Sequence, residues 1–301
     1  MDLNLLWFIL LGILLAGYAI LDGFDLGVGI LHLTARNDLE RRLMINSIGP
    51  LWDGNEVWLV TFGGAMFAAF PHAYATVFSG FYVAFMMLLF ALIFRAVSIE
   101  FRGKRDSKAW KRFWDYSFCS ASFLATFLFG CAAGNALIGL PINAEGVFTG
   151  SFFDLLRPYP ILIGLLTVAF AVMHGAIFIY MKMEGEFQKF IQRWMWRGFG
   201  FTLICYMLAT IFILANRPQV ARNFHDHPWA WISIVLLILA FANIPRAIYL
   251  NRPFTAFISS SFTILSLVFL FSFSLFPNLV VSSTSPEFNL TITNAASSDK
   301  T

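Results

Sequence analysis

Apolar runs long enough to cross a lipid bilayer recur along this chain, and they constrain its fold more than any other feature. A helix needs about 20 predominantly apolar residues to span the hydrocarbon core. Eight runs reach or approach that length, at roughly 5–31, 51–70, 73–99, 114–139, 158–181, 198–216, 229–250 and 254–276. The chain is 59% hydrophobic and 12% charged over 301 residues, with 36 Phe, and no soluble core of that size absorbs such an apolar fraction. The expected fold class is all-α: a polytopic membrane protein of about eight transmembrane helices in bundles. No Lys or Arg precedes Arg36 and no cleavage site is evident, so the first run reads as a retained spanning helix rather than a signal peptide.

The basic residues orient these helices. With the N-terminus outside, fifteen of the 20 Lys and Arg fall on inner connections: Arg36, Arg41 and Arg42, the run from Arg102 to Arg112, the run from Lys182 to Arg197, and Arg246 with Arg252. The outer side holds four, Arg157, Arg217, Arg222 and Lys300, and Arg95 lies within a span. That asymmetry follows the positive-inside rule. The short connections favour antiparallel neighbours. Residues 1–276 are expected to form the membrane domain, with a first bundle over roughly 1–139, a second over roughly 158–276, and a polar extracytoplasmic tail over 277–301. Gly23 with Gly27, and Gly130 with Gly134, are spaced for close helix packing.

Against this background the intramembrane charges stand out, because each carries an insertion cost of about 2.5–3.5 kcal/mol at mid-bilayer. Asp53 and Glu56 open the second span, three residues apart and so on one helix face. The first span runs inward, and at 1.5 Å per residue Asp22 lies about 25 Å and Asp25 about 30 Å along it. The third span ends inside with Arg95 and Glu100, and Asp115 opens the fourth. These groups are expected to share a pocket toward the inner side of one bundle. One reading is an anchoring network around Arg95. The other is a proton route, for which intramembrane acids are suited.

Other signals are weaker. Gly27-Val28-Gly29 lacks the Lys-Ser/Thr of a phosphate loop. Cys119, Cys131 and Cys205 lie in apolar segments and show no ligand spacing. His225-x-His227 reads as a pair of solvated loop histidines. Among five histidines only His174 is deep in a span, too small a supply for a chain holding several haems, and packing or hydrogen bonding is its expected role.

The residues resemble a family. Asp22-Gly-Phe-Asp-Leu-Gly-Val-Gly29, Arg36-Asn-Asp38, Glu40-Arg-Arg42, Asn46-Ser47 and Gly49-Pro50-x-Trp-Asp-Gly-Asn-Glu-Val-Trp58 are similar to subunit II of the cytochrome bd-type quinol oxidases, cyanide-insensitive relatives included. Gly63-Gly-Ala, Phe78-Ser-Gly-Phe-Tyr82, Phe94-Arg95, Trp114-Asp115 and Gly134-Asn135 extend the match. The resemblance implies a multi-pass subunit of a bacterial cytoplasmic-membrane terminal oxidase that couples quinol oxidation to reduction of oxygen to water. It implies a haem-bearing subunit I as partner, holding two b-type haems and one d-type haem. No cofactor is expected on this chain, although the family leaves room for a structural quinone and a small accessory subunit. No nucleic-acid partner is expected.

By carry-over, Asp53 and Arg95 match positions of a proton route and Trp58 a position of oxygen access. Asp22, Asp25 and Glu56 join the route through the depth argument. The family usually continues into a ninth helix, and this sequence stops at Thr301 before it. The rival function is a proton-coupled secondary transporter. It predicts a midplane site built from paired broken helices, whereas here the acids gather to one side.

Overall fold

The computed structural model describes residues 2–298, so Lys300 and Thr301 lie outside the described residues. The chain is helical nearly throughout. Helices α1 (Leu3–Leu31), α2 (Asp38–Ile48), α3 (Trp52–Ala69), α4 (Pro71–Gly80), α5 (Tyr82–Phe101) and α6 (Lys108–Ile138) make up its first half. Helices α7 (Pro158–Lys182), α8 (Gly185–Asn216), the short α9 (Arg222–Asp226), α10 (Trp231–Tyr249) and α11 (Pro253–Leu275) follow. A two-stranded antiparallel hairpin, β1 (Asn278–Val280) and β2 (Leu290–Thr291), closes the chain.

Among the described residues seven helices are long and apolar enough to cross a membrane. The second expected span, 51–70, forms as the helix α3 but falls short of that standard. Its 18 residues reach about 27 Å, and Asp53 and Glu56 dilute its first turns. The third expected span, 73–99, is divided. Pro71 starts a separate short helix that ends at Gly80, Phe81 leaves helical geometry at φ −96° and ψ 17°, and the crossing helix begins at Tyr82. The basic stretch 38–48, read as a connection, is the helix α2. Asn37 caps it, its side chain accepting from the Glu40 backbone N–H, and Arg36 donates to the Glu40 carboxylate at 2.6 and 2.9 Å.

Helix α1 lies at the centre, packed against α3, α6, α7 and α11. Its contact with α7 is backbone on backbone: a methyl group on Gly27 would overlap the Ala171 carbonyl, and one on Gly175 would overlap Gly27. The α6–α7 contact is made the same way, with Gly130 against Gly164 and Gly134 against Pro160. Small residues let helices in lipid gain contact where no hydrophobic drive separates them from acyl chains.

The polar end of the chain is folded. Leu140 N–H donates to Val281 O at 2.9 Å, Ser283 N–H to Leu140 O at 2.8 Å and Ser297 N–H to Ala69 O at 2.9 Å. Val280, Leu290, Ile292 and Ala295 are buried in one cluster with Phe70, Ala73 and Phe81. Residues 277–298 and the 140–157 connection thus cap one end of α1, α3, α4 and α6, opposite the end where α2 lies.

Candidate functional site

Two polar clusters occupy the first four long helices, at different depths. The deeper one hangs on α1. Tyr18, Asp22 and Asp25 stand at i, i+4 and i+7 on its buried stripe. Arg95 of α5 donates through Nη1 to Asp22 Oδ2 at 2.7 Å and through Nη2 to Asp22 Oδ1 at 2.5 Å, a two-pronged pair with both side chains fully buried. Glu56 of α3 brings Oε1 to 3.3 Å from Arg95 Nη2 while its side chain remains 24% exposed. Asn55, also on α3, donates to Asp25 Oδ2 at 2.7 Å. Asp25 Oδ1 has no hydrogen-bond partner among the described residues.

Three carboxyls therefore face one guanidinium. Asp22 and Arg95 cancel and fix one another. Asp25 and Glu56 are left without a cation of their own in a low-dielectric interior, where uncompensated charge is costly. Charge balance favours protons residing in this cluster, and the partly exposed Glu56 gives it an opening.

The second cluster sits at the end of the bundle formed by α2 and the α5–α6 connection. Asp115 of α6 meets His32 Nε2 at 2.5 Å, Arg102 Nε at 2.5 Å and Arg41 Nη1 at 2.9 Å. Arg102 Nη2 continues to Asp38 Oδ1 at 2.7 Å, and Arg42 reaches Asp38 Oδ2 at 2.9 Å. The Arg102 hydrogen bond holds the Asp38 carboxyl below the usual range, against a smaller opposing effect of burial. Here cations outnumber carboxylates. The network ties α1, α2, α5 and α6 together and leaves no surplus acid.

The sequence grouped Asp22, Asp25, Asp53, Glu56, Arg95, Glu100 and Asp115 in one pocket, and the structure separates them. Asp22, Asp25, Glu56 and Arg95 meet in the deep cluster, Asp115 belongs to the second, and Asp53 and Glu100 are exposed. Asp53 and Glu56 do lie within about 60° of each other around α3, but the buried stripe of that helix runs through Asn55 and Met66, about 160° from Asp53. Asp53 therefore points out of the chain, beside Val57 and Val60, which are 56% and 74% exposed. Trp58 is half-buried with its ring against Gly17 of α1, where a methyl group would overlap it.

His174 spends both ring nitrogens on the protein, Nδ1 on Ser260 Oγ at 2.7 Å and Nε2 on Ile20 O at 3.1 Å, and stacks on Phe257. The sequence reading missed Tyr18, Asn55, His32, Arg41 and Arg102 as members of these networks. The signal for Tyr18 was its place one turn from Asp22.

A full-length sequence comparison decides the family. The model for cytochrome bd terminal oxidase subunit II matches residues 3–301. The chain belongs to that family. This member is 36% identical over 331 aligned residues to "Cytochrome bd-I ubiquinol oxidase subunit 2" of Escherichia coli K12, covering 99% of this chain and 87% of that one. It is 34% identical to "Cytochrome bd ubiquinol oxidase subunit 2" of Bacillus subtilis 168, covering 99% and 88%. Among solved structures, a chain of the bd oxidase from Geobacillus thermodenitrificans superposes with a TM-score of 0.81 at 19% identity, covering 99% of this chain and 90% of that one, a likeness of fold. The cytochrome bd subunit II described here is a multi-pass membrane protein.

Proposed function

We propose that this subunit takes up protons from the cell interior and passes them through Asp53, Glu56 and Asp25, along a route lined by the fixed charges of the Asp22–Arg95 pair, toward the oxygen-reducing centre of a haem-bearing subunit I. The setting is a bd-type terminal oxidase, a quinol:oxygen oxidoreductase complex, in the bacterial cytoplasmic membrane. The observation that carries the reading is the surplus of carboxyls over cations in the deep cluster: three acids, one guanidinium, and two acid oxygens that accept no hydrogen bond among the described residues. A purely structural network would leave no acid in surplus, as in the second cluster.

The haems are assigned to the partner. That fits the engagement of both His174 nitrogens, and no residue of this chain is given a haem-binding role. The partner is taken to cover the outer face of α3, where Asp53, Val57, Val60 and Phe67 are exposed and Gly54 and Gly64 leave open space. A carboxylate directed into lipid there would be costly, and a docked subunit removes that cost by turning Asp53 toward a shared interface. Trp58, on the side of α3 that meets Gly17 of α1, is assigned to oxygen access. Residues 2–139 form the conducting bundle, 158–276 support it, and 277–298 cap its outer end. A proton-coupled transporter is not favoured, because the family match extends over residues 3–301.

The test is Asp53→Asn and Glu56→Gln, each in the assembled oxidase. With haem content normal, quinol-driven oxygen consumption and proton uptake should both fall, by about tenfold or more as expected for loss of a proton-transfer group. Normal turnover and normal uptake in both variants would refute the conduction reading.

A further inference from the structure

The carboxyls end short of the membrane centre. Counting back from the inner end of α1 at Leu31, Asp25 lies about 9 Å in and Asp22 about 14 Å. Tyr18 is one turn deeper, about 20 Å in, on the same buried stripe. Its side chain is buried, at 5% exposure, with the ring set edge-on to Phe129 of α6 at 5.3 Å between centroids. The charged groups acting on its hydroxyl are Asp22, Arg95 and Glu56, so it belongs to the deep cluster and not to the apolar packing around it.

That hydroxyl lies near enough to the Asp22 carboxylate to interact with it but makes no well-formed hydrogen bond among the described residues, and neither do Asp25 Oδ1, Arg95 Nε and Glu56 Oε1, the last held only by its ion pair with Arg95 at 3.3 Å. Four buried polar atoms of one cluster, contributed by α1, α3 and α5, thus lack a well-formed hydrogen bond to protein. Buried polar groups are satisfied in nearly all native structures, and where protein does not satisfy them ordered water does. The set holds one hydroxyl, one guanidinium donor and two carboxyl oxygens, the mixture of donor and acceptor that a bridging water requires.

We propose that Tyr18 is a further residue of the proton route, its hydroxyl joined by ordered water to Asp25 and Glu56 and carrying the proton one helical turn beyond the carboxyls. This rests on the conduction reading above and adds to it a residue that is not an acid. In each transfer the phenol oxygen accepts a proton on a lone pair from a hydrogen-bonded water, and the proton it already held leaves to the next acceptor. The phenol gains and loses one proton and ends unchanged. Asp22 takes no turn as a carrier, because both its oxygens are occupied by Arg95. Its part is to hold a fixed negative charge beside the hydroxyl, which favours a proton arriving there.

Tyr18→Phe tests this, because it removes one oxygen and keeps the ring on Phe129. Turnover of the assembled oxidase should fall by about tenfold with the KM for quinol unchanged, and the ratio of rates in H2O and D2O should rise as proton transfer becomes limiting. A change in packing alone would leave that isotope ratio where it is. Asp25→Asn is measured in parallel. If Asp25→Asn slows proton uptake and Tyr18→Phe behaves as wild type in rate and isotope ratio, Tyr18 is not on the route and the acids alone carry it. If neither variant slows uptake, the conduction reading fails and this inference fails with it.

Discussion

The two polar clusters use the same chemical groups to opposite ends. Around Asp115, two guanidiniums and a histidine converge on one carboxylate, and Asp38 is likewise held by Arg102 and Arg42. Around Arg95, one cation faces three carboxyls and only Asp22 is held by it on both oxygens. A network with cations in excess disfavours an additional proton, so it serves as a clasp between helix ends. A network with acids in excess holds protons by necessity, and one that also has an opening at Glu56 is able to exchange them. Burial alone does not separate structure from conduction in a membrane protein. The balance of charge within each buried group does.

The comparison is most severely strained by Arg95→Met. Asp22 would then be a buried carboxylate with no partner, at a cost of about 3–5 kcal/mol. The expected outcome is little or no assembled haem-containing complex, read from the yield and optical spectrum of the purified oxidase. Asp25→Asn separates the clusters more cleanly. An amide of the same shape keeps a neighbour for Asn55 but carries no proton, so turnover should fall by roughly 10- to 100-fold while the thermal midpoint of the complex changes little.

Asp115→Asn should do the reverse. His32, Arg41 and Arg102 lose a charged acceptor, which lowers stability by on the order of 2–3 kcal/mol. Differential scanning calorimetry should record a lower midpoint, and turnover per haem in the surviving complex should stay near wild type. A slowed Asp115→Asn with unchanged stability would erase the distinction drawn between the two clusters.

The smallest effect concerns Asp38. Its carboxyl is held below the ordinary range by Arg102. A carboxyl depressed on folding adds stability that is full above its unfolded value, near 3.9, and is lost as pH falls through the lower folded value. Acid loss of stability below about pH 4 should therefore be shallower in Asp38→Asn. The side chain is 46% exposed, so solvent screening limits the effect to a few tenths of a kcal/mol.

Much of the fold was legible in the sequence because a bilayer leaves few alternatives. Runs such as 158–181 and 254–276 became α7 and α11 nearly residue for residue, and Gly130 with Gly134 marked a true helix crossing. Hydropathy could not reveal where polar chemistry replaces apolar burial. Helix α2 is amphipathic and charged, so it read as a connection. The break at Gly80 and Phe81 lies inside an apolar run, and the end of the chain folds through backbone hydrogen bonds to residues near 69 and 140.

The site was half legible. Depth along a helix put Asp22, Asp25, Glu56 and Arg95 at one end of the bundle, but depth says nothing of azimuth. The turn of α3 that buries Asn55 and exposes Asp53 depends on how that helix packs on α1. Asn55 was passed over because it lies between the charged Asp53 and Glu56. His32 and Asp115 each lay where an apolar run meets a basic connection, and nothing local indicated that they would meet.

The central claim is that protons pass through the acid-rich cluster, and it is tested most directly by timing their uptake. The fully reduced oxidase, reconstituted in vesicles, is exposed to an oxygen pulse, and a pH-sensitive dye follows protons leaving the medium on the side of α2. In the Asp25→Asn, Glu56→Gln double variant, with haem spectra unchanged, uptake should lag wild type by about tenfold or more. Uptake at the wild-type rate would contradict the account.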